Sequence, residues 1–194
     1  MLVCGNLPDY SQNVGRGVRA VHLAACFGLQ DAMKLLLERG HDPDSKNTEG
    51  QTSLLWAAKN GHKKVVELLL QGKLDVMVYD ESRRTALHHA ANHIWTYPLN
   101  LLLIYGADIE ARDSQGQTAL LIAAANVQTE AVELLAKAGA NTEMLDGQRR
   151  GLVWRPICAK NCPCLRRLRL TSPPAEIFTP MPIGADISKP AFGL

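Results

Sequence analysis

The chain has 194 residues, 46% of them hydrophobic and 5% aromatic, with a formal net charge of +2. The apolar fraction is sufficient for a folded core, and no apolar run approaches the ~18–20 residues that a membrane-spanning helix requires. The N-terminus lacks the basic and apolar regions of a secretory signal, and the five cysteines do not suggest a disulfide framework, so we expect an intracellular monomer, cytoplasmic or nuclear, without a membrane partner.

The first predicted helices begin in a motif that recurs at a constant interval: RAVHLAA at Arg19, TSLLWAA at Thr52, TALHHAA at Thr85 and TALLIAA at Thr118. We call this interval, as from Thr52 to Thr85, one repeat length. Threonine is a favourable N-cap because its hydroxyl can accept a hydrogen bond from an amide of the first turn. The alanine pair in each motif removes side-chain bulk, so neighbouring motifs can approach closely. The period therefore predicts four units, each opened by a short helix.

A second helix is predicted in each unit, after a turn such as the one at Gly61. The segments MKLLLERG, VVELLLQG, LNLLLIYG and AVELLAKAG recur in phase, and Gly40, Gly106 and Gly139 fall where a helix C-terminus is expected. The stretch Asp75–Arg84 leaves room for a short extended turn before the next unit. Because one helix pair cannot bury its apolar side alone, the units must stack.

Unit three departs from the pattern at the turn between its helices. Ile94 replaces the Gly28, Gly61 or Val127 of the other units and is followed by the segment 95–98, which ends in proline. Proline is tolerated in the first turn of a helix. We therefore predict that the second helix of unit three starts within 95–98.

The repeat resembles the ankyrin repeat, whose signature T-P-L-H-x-A-A, G-H, V-V-x-L-L-L and G-A-D is recognisable as TSLLWAA, GH and VVELLL in unit two and as GAD at Gly106–Asp108. The resemblance covers residues 14–146. It implies an all-α solenoid of stacked helix pairs with short extended turns, with units 14–46, 47–79, 80–112 and 113–146 after a lead of residues 1–13.

The C-terminal part differs in composition. MLDGQRRG looks like the opening of a fifth unit, because Asp146 lies one repeat length after Asp113, but the pattern then stops. Residues 147–194 carry 8 Lys and Arg against 2 Asp and Glu, whereas residues 1–146 carry 13 against 17. We expect 147–194 to be a basic, Pro-rich tail, largely disordered or loosely draped over the end of unit four.

Two groups of residues could bind a metal. His89 and His93 stand four apart and would share one face of a helix, but no third ligand is evident. Cys158, Cys162 and Cys164 lack a fourth ligand for a closed zinc site. We therefore expect no metal and no cofactor. In the resembled family the histidine of T-x-L-H has a structural role, and His22 and His88 occupy that place.

The sequence contains no Gly-rich phosphate loop, HExxH or GxSxG motif, so we expect no enzyme. Arginines at 166, 167 and 169 alternate with leucines and could contact nucleic acid, another acidic partner or an import receptor. A tail acting in this way, for example in transcriptional regulation, is the alternative function.

The resemblance implies that partners bind to the loop tips and first helices, which line a concave face. The positions that vary between units there hold Thr48, Glu49, Gln51, Trp56, Lys59, Asn60, Glu81, Ser82, Arg84, His89, Asn92, His93, Ser114, Gln115, Gln117 and Asn126. Trp56 could be an interface anchor or equally a packing residue. We expect a non-enzymatic protein that binds an unidentified protein, as an adaptor, scaffold or regulator.

Overall fold

The computed structural model describes residues 17–151 except 73 and 94. The described part is helical, and its elements are α1 (Ala20–Phe27), α2 (Gln30–Glu38), α3 (Ser53–Lys59), α4 (Lys63–Gln71), α5 (Ala86–Ala91), α6 (Thr96–Ile104), α7 (Ala119–Ala125) and α8 (Thr129–Lys137). Extended pairing within the described residues is confined to an isolated bridge between Tyr79 and Thr85. None of the helices described is long and apolar enough to span a membrane.

The helices form two layers. The first helices α1, α3, α5 and α7 pack side by side in chain order, the second helices α2, α4, α6 and α8 form a parallel row, and each first helix packs on its own second helix. This architecture confirms the predicted all-α solenoid of stacked helix pairs.

A continuous core runs between the two layers. In the second helices Leu69, Leu102 and Leu135, each one repeat length after the last, are completely buried. In the first helices both alanines of each pair are buried, which permits the close approach of neighbouring units. The repeated apolar positions of the sequence therefore form one continuous core along the solenoid. No single unit could bury these side chains by itself.

The first helices begin at the predicted N-caps, but the threonine hydroxyl does not make a capping hydrogen bond in every unit. Thr118 accepts a hydrogen bond from the Leu121 amide, and Thr85 forms a capping box with His88. Thr52 has the extended backbone of an N-cap, but its hydroxyl makes no capping hydrogen bond. The predicted hydroxyl cap at Thr52 is therefore wrong, although the helix begins where expected.

The second helices end as predicted in three units. Gly40, Gly106 and Gly139 follow their helices with φ of +78°, +83° and +93°, a left-handed conformation that glycine adopts without a steric penalty. In unit three α6 begins at Thr96, so Pro98 lies in its first turn, as predicted. The lead 1–13, the three tail cysteines and the arginines at 166, 167 and 169 lie outside the described residues.

Candidate partner-binding surface

Each loop between units ends in the same tight hairpin. Its first residue is Asn47, Asp80, Asp113 or Asp146, and the side-chain oxygen Oδ1 of each accepts two hydrogen bonds, from the amides two and four residues later. A short Asn or Asp side chain is suited to this bond because it replaces a backbone acceptor at close range. The hairpin at Asp146 therefore repeats the geometry of the three hairpins before it.

Successive hairpin tips are joined by backbone hydrogen bonds. The amide of Glu81 donates to the carbonyl of Glu49 at 3.0 Å, and the amide of Ser114 donates to that of Ser82 at 2.9 Å. The amide of Gly147 donates to the carbonyl of Gln115 at 2.8 Å. The tips therefore form a continuous row that is fixed along the length of the solenoid.

Side chains that emerge from this row define what we call the tip surface: Glu49, Glu81, Ser82, Ser114 and Gln115. Glu49 is half-buried and the other four are exposed. All five belong to the predicted partner-binding set. Thr48, at the start of the row, is also exposed.

Two of the predicted contact residues on the hairpins make contacts within the protein itself. Gln117 is buried, because it follows the third tip directly into the N-cap of α7. Arg84 is half-buried, and its Nε lies 3.5 Å from the fully buried carboxylate of Asp113 in the next hairpin. The expectation that Gln117 lies on the surface is therefore wrong, whereas Arg84 combines an ion pair to the next unit with a partly exposed side chain.

Trp56 packs against its own unit and the preceding one. Its Nε1 donates a 2.7 Å hydrogen bond to Oε1 of Gln51, and its ring meets His22 edge-on at 6.1 Å. Gln51 is therefore also held in place. The side chain of Trp56 remains half exposed, so the structure assigns it a packing role and leaves part of the indole accessible.

His22 and His88 have the structural role implied by the resemblance. Nδ1 of His88 accepts from the Thr85 amide, and its Nε2 donates to the carbonyl of Gln117 in the next unit at 3.1 Å. His22 likewise bonds through Nε2 to the Ser45 and Gln51 carbonyls. Burial lowers the pKa of both imidazoles below the usual 6.5, because desolvation disfavours the charged ring.

His89 is not a surface residue. Its side chain is buried, and Nε2 lies 2.9 Å from Oδ2 of Asp80, the first residue of the hairpin in the same unit. Burial alone would raise the pKa of Asp80, but the hydrogen bonds from His89 and from the Arg84 and Ser82 amides outweigh it and lower that pKa. The prediction of His89 as a contact residue is wrong, because the hairpin folds back over it.

The C-terminal ends of the first helices carry a row of polar side chains. Asn126 donates to Oδ1 of Asn92 at 2.8 Å, and Asn60 donates to the Trp56 carbonyl at 2.8 Å. His93 is half-buried; burial and, to a smaller extent, the charge of Lys59 lower its pKa. Lys59 and Asn126 are exposed, whereas Asn60, Asn92 and His93 are half-buried.

Three residues that the sequence did not mark meet beside the tips. The amino group of Lys46 lies 5.5 Å from the centroid of the Tyr79 ring, and the guanidinium of Arg83 lies 5.9 Å from it. Lys46 and Tyr79 occupy the same position of successive units, which is the signal that could have identified the pair. Across the described residues, no three His, Cys, Asp or Glu side chains converge as a metal site would require.

Comparison with known proteins identifies the repeat. A family model described as ankyrin repeats (3 copies) matches residues 21–113. A second model, described as ankyrin repeat, matches residues 115–147. Together the two matched ranges include the helices α1 to α8, apart from the first residue of α1.

Individual relatives match over short segments. E3 ubiquitin-protein ligase hecd-1 of Caenorhabditis elegans is 40% identical over 68 residues, which are 32% of this chain and 3% of that protein. Probable E3 ubiquitin-protein ligase XBOS33 of Oryza sativa subsp. japonica is 43% identical over 56 residues, 29% of this chain and 11% of that protein. Ankyrin repeat domain-containing protein 63 of Homo sapiens is 38% identical over 56 residues, 29% of this chain and 15% of that protein. The chain thus spans a small fraction of the length of these relatives, and the ligase activity in the names of the first two is not carried over by the match.

Proposed function

Because the chain belongs to the ankyrin-repeat family, whose models match residues 21–113 and 115–147, we propose that it is a non-enzymatic protein that binds another protein, as an adaptor or a regulator. The partner contacts the tip surface and the exposed polar ends of the first helices. The fold alone does not select the partner, since one scaffold carries many specificities.

The observation that carries this proposal is the hydrogen-bonded row of hairpin tips. Each tip is fixed internally by its Asn or Asp side chain and externally by a bond to the next tip, such as that from Ser114 to Ser82. A surface held in one conformation before binding loses less entropy when it binds, so more of the contact energy appears as affinity.

The composition of the surface supports a protein partner. The tip surface combines two carboxylates with neutral hydrogen-bonding side chains, and Lys46 and Arg83 flank it around Tyr79. Mixed charge next to an exposed aromatic ring suits a polar protein interface better than a polyanion, which favours uniformly basic surfaces.

The test compares substitutions to arginine on the two sides of the solenoid. In the 194-residue chain, Glu81→Arg and Gln115→Arg alter exposed side chains of the tip surface. Glu38→Arg and Gln71→Arg, which we call the outer variants, alter exposed side chains at the C-terminal ends of the second helices α2 and α4. Proteins bound by the wild-type chain in cell extracts are identified by mass spectrometry, and the affinity of the main one is then measured for each variant.

We expect the two tip variants to lose at least about tenfold in affinity, the equivalent of ~1.4 kcal/mol, and the outer variants to bind like wild type. Circular dichroism and thermal unfolding verify that all four variants are folded. Loss of binding in the outer variants, with retention in the tip variants, would place the interface on the opposite side and refute the proposal.

A further inference from the structure

The second helix of unit three differs in composition from the second helices of the other units. The helix α6 (Thr96–Ile104) contains no Asp, Glu, Lys or Arg, whereas α2, α4 and α8 each carry both acidic and basic residues. A helix on the outside of a solenoid normally presents charged or polar side chains to water. The outer side of α6 is therefore unusual for its place in the fold.

This outer side presents a stripe of apolar and aromatic side chains. Tyr97 is 39% exposed, Ile104 is 69% exposed and Tyr105, which directly follows the helix, is 43% exposed. The half-buried Leu101 lies between them, and the spacing of the four residues places them along one side of the helix. We call Tyr97, Leu101, Ile104 and Tyr105 the α6 face. Adjoining exposed apolar and aromatic side chains of this kind are typical of a protein interface.

The α6 face has opposite charges on its two sides. The helices α4 and α8 are the neighbours of α6 in the row of second helices. Lys64 of α4, Tyr97 of α6 and Glu130 of α8 occupy the same position of three successive units, and all three are exposed. The amino group of Lys63 lies 3.7 Å from the centroid of the Tyr97 ring. The face is therefore bordered by positive charge towards α4 and by negative charge towards α8.

The two lysines are unfavourably placed for the helix that carries them. Lys63 and Lys64 lie in the first turn of α4, which contains no acidic residue, whereas α2 and α8 carry Asp31 and Glu130 there. The free amides make the N-terminus of a helix positive, so lysines at this end lower the stability of α4. A carboxylate from a second molecule would compensate for this arrangement and would add electrostatic complementarity to the contact.

We propose that the α6 face is the contact surface of a homodimer, with the second copy of the chain related by a two-fold axis parallel to α6. Each α6 packs on its counterpart, and Lys64 of each copy lies opposite Glu130 of the other copy. A two-fold contact requires a surface that is complementary to itself, and an apolar stripe between opposite charges meets this requirement. A two-fold axis perpendicular to the helices would place α4 over α4 and would not pair Lys64 with Glu130.

This proposal goes beyond partner binding at the hairpin tips and differs from the expectation of a monomer. The tip surface belongs to the hairpins, whereas the α6 face belongs to a second helix. The two contacts use different residues, so each can be tested in the absence of the other. A chain that remains monomeric can still bind a partner through its tips, and a dimer can form without that partner.

The first test measures the oligomeric state of the 194-residue chain by sedimentation equilibrium, at concentrations up to roughly 0.2 mM. The face is formed by one helix of 9 residues and its borders. We therefore expect a weak, reversible dimer with a dissociation constant on the order of 10 μM. A wild-type chain that remains monomeric over the whole range would overturn the proposal.

A matched pair of substitutions locates the contact. Ile104→Arg introduces a charge on the α6 face, and Leu35→Arg introduces the same charge at an apolar position of α2 that is 49% exposed. We expect Ile104→Arg to weaken dimerisation by at least about tenfold and Leu35→Arg to dimerise like wild type. Circular dichroism verifies that both variants are folded. Equal dimerisation of the two variants would show that the α6 face is not the interface.

A charge exchange tests the orientation of the two copies. Lys64→Glu and Glu130→Lys each place like charges opposite each other, so each should weaken dimerisation by at least about fivefold at low salt. The double variant restores opposite charges with the signs exchanged, and we expect its affinity to return to that of wild type. Dimerisation of Lys64→Glu at wild-type strength, or a double variant as weak as the single variants, would refute the proposed two-fold arrangement.

Discussion

Adjacent histidines in this protein have different structural roles. His88 joins its helix start to the Gln117 carbonyl of the next unit, whereas His89 pairs with the Asp80 carboxylate of its own hairpin. The role of His88 follows from its place in the repeat. The role of His89 depends on a hairpin that begins well before the helix and folds back over it.

Val127 has an unusual backbone for a β-branched residue. Its φ is +56°, in the left-handed region, where Gly28 and Gly61 lie in the preceding units with φ of +68° and +75°. A Cβ at Gly28 would collide with the ring of His62, and one at Gly61 with the ring of Trp95. Val127 avoids such a clash but retains the conformational strain.

We predict that Val127→Gly raises the free energy of unfolding by about 1 kcal/mol, because relief of left-handed strain exceeds the entropy that glycine adds to the unfolded chain. Denaturant titration with a linear fit measures the change. Ala125→Gly, at the end of α7, is the control and should lower stability by roughly the same amount. A decrease for Val127→Gly would mean that the valine side chain contributes more by packing than it costs in strain.

The hairpins require glycine for two separate reasons, a left-handed backbone and a close approach of the next hairpin. Gly116 has φ of +70°, and a Cβ built on it would lie 2.7 Å from the Gly147 amide nitrogen. The close approach of Gly147 to Gly116 arises because the amide of Gly147 donates to the carbonyl of Gln115 in the preceding hairpin. Gly106, which follows α6, has a similar φ of +83° but no atom within 4 Å of such a Cβ.

We therefore predict that Gly116→Ala destabilises the protein by at least ~1 kcal/mol more than Gly106→Ala, since both variants suffer left-handed strain but only one also breaks a tip-to-tip bond. Thermal and denaturant unfolding give the two free energies. If the two substitutions cost the same, the bond between the third and fourth tips contributes nothing measurable.

For the whole molecule, the buried histidines make stability depend on pH. His22 and His88 have pKa values below the usual 6.5 because burial disfavours their charged forms. Below that pH the unfolded chain binds more protons than the folded chain, so unfolding is favoured as pH falls. The lowered pKa of Asp80 acts in the same direction, but in the range below its usual 3.8.

We predict that the free energy of unfolding decreases as pH is lowered from ~7 towards ~5, and that His88→Leu reduces this slope. Leucine is the matched choice, because Leu55 and Leu121 occupy the same place in units two and four. Urea unfolding at a series of pH values measures both slopes. An unchanged slope in the variant would show that His88 is not the titrating group.

The 33-residue period was sufficient to predict the helix pairs and their order. The segment 95–98 with its proline located the start of α6, and Gly40, Gly106 and Gly139 located the ends of three second helices. These features are local, because a cap, a turn glycine or an apolar face depends on residues within one or two turns of the chain. For the same reason the apolar segments of the second helices could be recognised before any contact was known.

The candidate surface was predicted less well, because exposure depends on how hairpins and neighbouring units pack over a residue. Tertiary contacts bury Gln117 and His89, hold Trp56 against the ring of His22 and join Arg84 to the next hairpin. The contact of Trp56 joins two units, and that of His89 joins a helix to the hairpin of its own unit, so neither follows from the helical periodicity of the sequence.

The periodic apolar and small residues were enough to predict a solenoid of repeated helix pairs, since such a pattern is compatible with few other folds. The exposure of the variable residues could be established only from the folded chain, because hairpins and neighbouring units cover some of them, such as His89 and Gln117.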